Sequence, residues 1–323
     1  MKMYVFIVLS YIVSPLIYRY LRNNKPGYFF ELLGYAALIN AIVIMLMFFF
    51  YPIKELYLKF VILELANVFG EDVFDSLLTL RMVGVTGFSA YSTAFCQMLC
   101  IILYYANILF FRNDKKLKKL DYIIIFMVVL SSLIVSRSTI VGIVFLSMLI
   151  AFDNNNRKEN IIFVLSSILL FLIFIWLSSF MLTENEFQFF SNWVAEFFLS
   201  GKDTGSLDAN LAMFKYSIYD FTLIGDSMVS SSDGGYYMNT DVGYFRLLFS
   251  SGFLGFILLF LLLTVTILCS SNSLKHFLFG LFIIAYILVF MFKGYIVQDA
   301  IYLFIIASII NLEFKNIKVI RYR

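Results

Sequence analysis

A few charged side chains stand beside long apolar runs, where a charge is costly and is therefore a candidate functional group. Four of them are cations, predicted to lie at one depth on one side of a membrane: Arg81, Arg137, Arg246 and Lys293. The planar guanidinium fork binds phosphate oxygens in pairs, and a low local dielectric strengthens the attraction. The set therefore suits a polyanionic group such as a lipid-linked diphosphate.

Two of the arginines also have carboxylates nearby that would give them a structural role. Arg81 could neutralise Asp75 or Glu71. Arg246 could pair with Asp241, which stands five residues earlier. Both ion pairs stay open as alternatives to phosphate binding.

The other two cations stand in short connections between apolar runs. Lys293 lies in the turn before the last predicted helix, and its long side chain could extend to the membrane surface. Arg137 lies in Ser136-Arg137-Ser138, between two half-length helices, where an arginine is hard to place without a partner. A structural interpretation is therefore weaker for Arg137 than for the other three.

The composition requires a bilayer as the solvent of this chain. Hydrophobic residues make up 62% of its 323 residues and charged residues only 14%, whereas a soluble domain is roughly half apolar and a quarter charged. Inside hydrocarbon only helices and closed barrels satisfy the backbone. Because the apolar runs are continuous rather than alternating, we predict an all-α polytopic transmembrane helix bundle, a single integral membrane domain over 1–323. The small net charge of +3 does not suggest a nucleic-acid partner.

A spanning helix needs about 20 apolar residues, and nine runs approach that length. The two short runs are predicted to form a tight hairpin with Arg137 at its tip. The nine predicted spans are 3–18, 29–50, 88–111, 121–136, 138–152, 160–182, 242–268, 276–292 and 295–312.

Lysine and arginine gather in alternate connections, which predicts the orientation. With nine crossings, all the basic segments face the cytoplasm, the N-terminus lies outside and the C-terminus lies inside. The basic segments are 19–28, 112–121, 153–159, 269–275 and the C-terminal tail.

The opposite side carries two large predicted outer loops. In 51–87 the apolar residues recur at helical spacing, which predicts a helix that lies in the interface. The loop 183–241 holds nine acids against two lysines, and its aromatic stretch 186–199 is a second candidate for an interfacial helix. The charges that could do chemistry are therefore expected on the extracytoplasmic side.

Cofactor motifs are missing from the sequence. Cys96 and Cys100, one helical turn apart, are interpreted as small buried apolar residues, and no metal motif or disulfide framework is found. His276 is expected at the cytoplasmic end of its helix, far from the arginines. Gly252 and Gly255 predict close helix packing. We therefore predict no cofactor and no metal.

Taken in order, these segments resemble the O-antigen and capsule repeat-unit polymerases. The hairpin around Ser136-Arg137-Ser138 looks like the hallmark hairpin of that family, and Arg81-Met82-Val83-Gly84 resembles its arginine before an inner helix. The large-loop signature of the family is matched by three stretches: Ile224-Gly225-Asp226-Ser227, Asp241-Val242-Gly243-Tyr244, and Gly252 with Gly255. The resemblance covers residues 80–312. Each motif is short, and their order is the specific part.

The resemblance implies a metal-independent enzyme that transfers a growing glycan from one undecaprenyl diphosphate onto a new lipid-linked repeat unit, on the outer face of the cytoplasmic membrane. In that interpretation Arg137 and Arg246 bind the diphosphates and stabilise the leaving group. Asp241 or Asp226 orients or deprotonates the acceptor hydroxyl. The implied catalytic residues are Arg137, Arg246 and Asp241, and the implied substrate-binding residues are Arg81, Asp226, Tyr244 and Lys293.

The resemblance implies three partners: undecaprenyl-diphosphate-linked oligosaccharides, the lipid bilayer and a chain-length regulator. Other functions stay open. An O-antigen ligase shares the hairpin and the large loop, but is expected to use an extracytoplasmic histidine, and His276 is predicted to be cytoplasmic. A transporter or flippase is expected to show broken helices, charges in mid-span and internal repeats, and the sequence indicates none of these. A structural subunit of a glycan assembly complex is the third alternative.

Overall fold

The chain folds into helices in every part that the structure describes. This computed structural model is all-helical, with 81% helix and no strand in the described residues. Packing contacts divide the chain into two compact units: the central unit, residues 30–202, and the terminal unit, residues 1–29 with 203–323. The structure describes residues 2–21, 25–61, 84–85, 90–112, 114–182, 184, 187–188, 190–191, 212–229, 231, 237–269, 273–296 and 300–321.

Every predicted span coincides with a helix, and one further helix, α3, falls inside the predicted outer loop 51–87. The position of α3 relative to the membrane stays a prediction. In chain order the helices are α1 Lys2–Leu21, α2 Tyr28–Phe49, α3 Tyr51–Val61, α4 Ala90–Phe110, α5 Lys119–Val135, α6 Thr139–Ala151, α7 Arg157–Met181, α8 Gly243–Leu268, α9 Leu274–Met291 and α10 Ala300–Arg321.

Within the described residues, five helices are long and apolar enough to cross a bilayer. Helix α7 shows the character of such a helix most clearly, because Ile162, Leu165 and Trp176 expose most of their apolar surface. Exposed apolar side chains are stable only against lipid. The chain is therefore a multi-pass helical membrane protein. The five helices are Tyr28–Phe49, Tyr91–Phe110, Arg157–Met181, Gly243–Leu268 and Leu274–Met291.

Helix α4 forms the centre of the central unit. Its middle, from Ile101 to Ala106, is almost inaccessible to solvent, and it packs against α5 and α6. Next to it, Phe48, Leu130 and Phe174 form an aromatic and aliphatic cluster, with the Phe48 and Phe174 rings 5.5 Å apart. Close packing of this kind positions the connection between α5 and α6, which carries Arg137.

Two buried aspartates fix the loops at one end of the central unit. Asp121 accepts hydrogen bonds from the Tyr104 hydroxyl (2.5 Å) and the Arg112 guanidinium (2.5 Å). Asp153 accepts a hydrogen bond from the Tyr105 hydroxyl (2.9 Å). Because both acids lie beside loops rich in lysine and arginine, the charge count that predicts orientation does not reveal them.

In the terminal unit α1 packs along α10, and α8 packs against α9 and α10. Polar side chains join these helices inside the packing. The Tyr11 hydroxyl is hydrogen-bonded to the Thr266 hydroxyl, and the Asn311 amide donates to the Thr266 carbonyl (2.6 Å). Buried polar groups paired in this way fix the register of neighbouring membrane helices. They hold α8, the helix that carries Arg246.

Candidate functional site

Helix α8 is broken at Gly252. The backbone there has φ 66° and ψ −175°, a conformation outside the helical region that glycine adopts without strain. The break leaves two half-helices, 243–251 and 253–268. The sequence indicated a continuous span over 242–268 and no broken helix, so this finding corrects that expectation. A break frees backbone N–H and C=O groups, which need partners wherever water is absent.

The segment 222–226 supplies those partners. It runs beside the break, and together with residues 249–254 it forms what we term the loop–helix junction. Three backbone hydrogen bonds join its two sides, and each satisfies a group that the break leaves without its helical partner. The bonds are Phe253 N–H to Thr222 C=O (3.2 Å), Leu254 N–H to Leu223 C=O (3.0 Å) and Asp226 N–H to Phe249 C=O (2.6 Å).

Glycine is required on both sides of the junction. Gly225 also has a positive φ, 84°. A Cβ on Gly225 would lie 2.7 Å from the backbone nitrogen of Ser251, and a Cβ on Gly252 would lie 2.5 Å from that of Gly225. The sequence predicted that Gly252 allows close helix packing. The observed close neighbour is instead the backbone of a loop.

Arg246 lies on the first half-helix with its guanidinium held from two sides. Only 8% of the residue is exposed. It donates a hydrogen bond to the Asp241 carboxylate (3.2 Å), and its guanidinium carbon lies 5.2 Å from the centre of the Tyr295 ring. Stacking on an aromatic face and pairing with a carboxylate both restrict arginine rotamers. The predicted ion pair is therefore present, and it fixes the arginine at the start of α8.

Asp241 and Lys293 complete a charged group with Arg246. Burial raises the pKa of the Asp241 carboxyl above its ordinary value, while the positive charges of Arg246 and Lys293 act in the opposite direction. When all three are ionised, two cations face one anion. Guanidinium and ammonium groups are the cations that bind phosphate oxygens, so this group is the candidate anion site of α8.

The first residues of α8 pack against the C-terminal end of α9. The Tyr244 hydroxyl donates a hydrogen bond to the Leu288 carbonyl. A Cβ on Gly243 would lie against the carbonyl oxygens of Gly294 and Met291. Gly243 and Tyr244, which belong to the predicted signature, therefore position the first half-helix against α9. A role of Tyr244 in substrate binding stays a prediction.

Asp226 is attached to the same half-helix one turn beyond Arg246. Its backbone bonds to Phe249, and its exposed carboxylate accepts a hydrogen bond from the Tyr237 hydroxyl (3.2 Å). The Tyr237 ring lies 5.7 Å from that of Phe249. The structure thus attaches two predicted site carboxylates, Asp226 and Asp241, to the half-helix that carries Arg246.

An aromatic layer that the sequence analysis missed holds the residues around Tyr216 and Phe221 against the first half-helix. The Phe221 ring lies 4.9 Å from Phe249 and 5.5 Å from Phe245. The Tyr216 ring lies 5.1 Å from Phe249. The signal for this layer in the sequence was the recurrence of aromatic residues in 214–221 and 244–249. The acids of the loop were instead taken as its main feature.

Arg137 belongs to the central unit. Helix α5 ends at Val135 and α6 begins at Thr139, so the predicted turn between two short helices is confirmed. The hydroxyls of Ser136 and Ser138 lie 2.7 Å apart across this turn, and Arg137 is half-buried. The predicted convergence of Arg137 with Arg246 stays a prediction. Arg81 lies outside the described residues.

A buried polar cluster joins the helices around that turn. The Gln97 amide oxygen accepts from the Ser132 hydroxyl (2.9 Å), and the Gln97 amide nitrogen donates to the Ser131 hydroxyl (3.4 Å). The Thr139 hydroxyl donates to the Ser132 carbonyl (2.7 Å). These bonds link α4, α5 and α6. A glutamine within an apolar run was the signal that the sequence analysis did not use.

Metal ligands do not cluster in the part of the chain that the structure describes. No group of three or more histidine, cysteine, aspartate or glutamate side chains there could hold a metal ion. The His276 ring stacks on Phe314, with ring centroids 4.3 Å apart. The chemistry available at the α8 site is therefore that of arginine, lysine, carboxylate and tyrosine.

We expect Gly252→Ala to destabilise the protein by about 2–3 kcal/mol, since it combines a positive φ with contact against the loop backbone. A thermal melt of the purified protein in detergent measures the effect as a lower Tm. The neighbouring Ser251→Ala is the control, because Ser251 is helical and only its hydroxyl bond to Leu247 is lost. Equal melting temperatures for Gly252→Ala and Ser251→Ala would contradict the described junction.

Comparison with protein-family models, with curated proteins and with solved structures finds no match to this chain. The resemblance to the repeat-unit polymerases therefore rests on the residues quoted above.

Proposed function

We propose that the chain polymerises undecaprenyl-diphosphate-linked oligosaccharide repeat units into a surface polysaccharide on the outer face of the cytoplasmic membrane. Two features support the proposal: the order of the motifs along the sequence and the chemistry of the α8 site. The observation that carries it is a buried Arg246, held by Asp241 and Tyr295 beside Lys293, at the start of a broken membrane helix.

The charged group fits one phosphate-bearing ligand. A diphosphate is a stronger acceptor for the guanidinium than a single carboxylate, because it offers more oxygens and more negative charge. On binding it would take over the guanidinium donor that Asp241 occupies in this structure. The cation–π contact with the Tyr295 ring keeps the guanidinium in place during this exchange. Lys293 adds a second positive charge without a fixed geometry.

The same exchange prepares the acid for catalysis. In the proposed reaction the acceptor hydroxyl oxygen attacks the anomeric carbon of the donor sugar, and the bond from that carbon to the diphosphate oxygen breaks. The hydroxyl proton passes to the Asp241 carboxylate, and undecaprenyl diphosphate leaves. Arg246 and Lys293 stabilise the negative charge that develops on the leaving oxygen. The raised pKa makes Asp241 a stronger base than an ordinary aspartate.

A second diphosphate must be held for the acceptor lipid, and Arg137, assisted by Arg81, is the proposed site for it. The proposal includes nine crossings, with the N-terminus outside and the C-terminus in the cytoplasm. This topology places the basic segments 112–121 and 153–159 inside and the segment 183–241 outside. A chain-length regulator is a proposed partner, and the mechanism uses no metal ion.

A lipid-linked glycan transporter is the second candidate, and the break in α8 is the observation that favours it. Discontinuous helices are common at transporter binding sites. Deletion of the gene separates the two functions. Single capped repeat units persist on the cell surface without a polymerase, whereas no unit reaches the surface without the transporter.

We expect Arg246→Ala to lower chain extension by at least about 100-fold, the usual cost of removing a donor to a developing oxyanion. Arg246→Lys should fail similarly, because an ammonium cannot replace the planar fork. The measurement is the glycan ladder of a deletion strain that carries each variant. The exposed Arg157, at the start of α7, supplies the matched control Arg157→Ala. Full-length ladders in cells with Arg246→Ala at wild-type abundance would remove Arg246 from the mechanism.

We expect chain extension to fall as the pH drops through the pKa of Asp241, which lies above the ordinary aspartate value of about 4. Only the ionised carboxylate accepts the proton, so activity is present above this pKa and is lost below it. The linked effect on stability has the opposite sign: since folding raises the pKa, protonation stabilises the folded state. Polymerisation by membrane vesicles, measured against pH, gives the profile.

Asp241→Asn should abolish the acid limb of that profile and leave little activity at any pH. An unchanged profile in Asp241→Asn vesicles would assign the proton transfer to another group.

A further inference from the structure

The segment that closes the break in α8 presents its large apolar side chains outward. Tyr219 is 94% exposed, Ile224 is 73% exposed, and Ile218 and Leu223 are each 66% exposed. Four such residues within seven positions form an apolar patch, which would be unfavourable in water at about 25 cal/mol for each Å². The patch needs an apolar partner.

The patch continues an apolar surface that already faces lipid. The Leu223 carbonyl accepts a hydrogen bond from the N–H of Leu254, the second residue of the second half-helix, 253–268. Leu254, Ile257 and Leu261 are all exposed, and they belong to a helix long and apolar enough to cross the bilayer. Leu223 is therefore held beside the part of α8 that exposes these apolar side chains.

The backbone carbonyls of the segment that lie beside the break are hydrogen-bonded within the protein. The Thr222 and Leu223 carbonyls accept hydrogen bonds from backbone N–H groups of the second half-helix. The Gly225 N–H donates to the Thr222 hydroxyl (2.8 Å), and the Asp220 carboxylate accepts from the Ser217 N–H (2.6 Å). The Thr222 and Leu223 carbonyls are thus bonded to α8, while Asp220 is exposed together with the four apolar side chains, a mixture that suits the edge of the hydrocarbon layer and not its interior.

We propose that residues 218–224 form a membrane wedge that inserts into the edge of the hydrocarbon layer, with lipid acyl chains as its partner. These residues belong to the predicted large extracytoplasmic loop 183–241. The wedge fixes the junction at the hydrocarbon boundary. Arg246 precedes Gly252 by six residues, so it lies at most about 9 Å further out, at the depth of the phosphate headgroups.

Single-tryptophan fluorescence tests the wedge directly. Trp176 and Trp193 are replaced by phenylalanine, and Ile224→Trp is introduced into that background. The protein is reconstituted into phosphatidylcholine vesicles with brominated or unbrominated acyl chains. We expect bromolipid to quench this tryptophan at least half as strongly as it quenches Trp176, which is exposed on α7 and is kept alone in a second protein.

Asp114→Trp, in the exposed loop after α4, is the aqueous control, quenched by iodide and not by bromolipid. If Ile224→Trp does not fold, Tyr219→Trp makes the same measurement with a smaller change. Quenching by iodide alone in the folded probe would overturn the wedge. The test reads depth and no glycan product, so its failure would leave the proposed polymerase unaffected, and inactivity of Arg246→Ala would not bear on the wedge.

Discussion

A membrane helix that breaks must find new partners for the backbone groups it frees. In this chain three backbone hydrogen bonds, between residues 222–226 and 249–254, meet that requirement at Gly252. They allow α8 to consist of two half-helices, and they hold a loop against the helix where two glycines leave no room for side chains. The position of the first half-helix, and with it Arg246, depends on this junction.

The first half-helix carries a buried charge at Arg246. Arg246 is buried, so its charge needs a partner, and Asp241 provides one while Tyr295 supports the guanidinium plane. Lys293 is the second cation that acts on the Asp241 carboxylate. In the proposed mechanism a diphosphate binds to these two cations, and the carboxylate it displaces becomes the base. Asp241 would thus hold Arg246 in place before the diphosphate binds and would accept the proton afterwards.

Hydropathy was sufficient to predict the helices, because apolar runs of about 20 residues have few alternatives in a bilayer. It also predicted the turn at Arg137 and the charged residues at the start of α8. It could not predict the break, since the sequence around Gly252 is as apolar as that of an unbroken helix. The residues in close contact with Gly252 are Leu223, Ile224 and Gly225, which lie 27 to 29 residues earlier in the chain. The aromatic layer and the Gln97 cluster were missed for the same reason: their meaning depends on contacts between distant segments.

A structure of the protein in lipid nanodiscs with undecaprenyl diphosphate bound would test the central claim most directly. The account predicts phosphate oxygens within hydrogen-bond distance of the Arg246 guanidinium, with Asp241 released from its ion pair and Tyr295 still stacked on the arginine. A diphosphate bound elsewhere, with the Arg246–Asp241 pair intact, would contradict it.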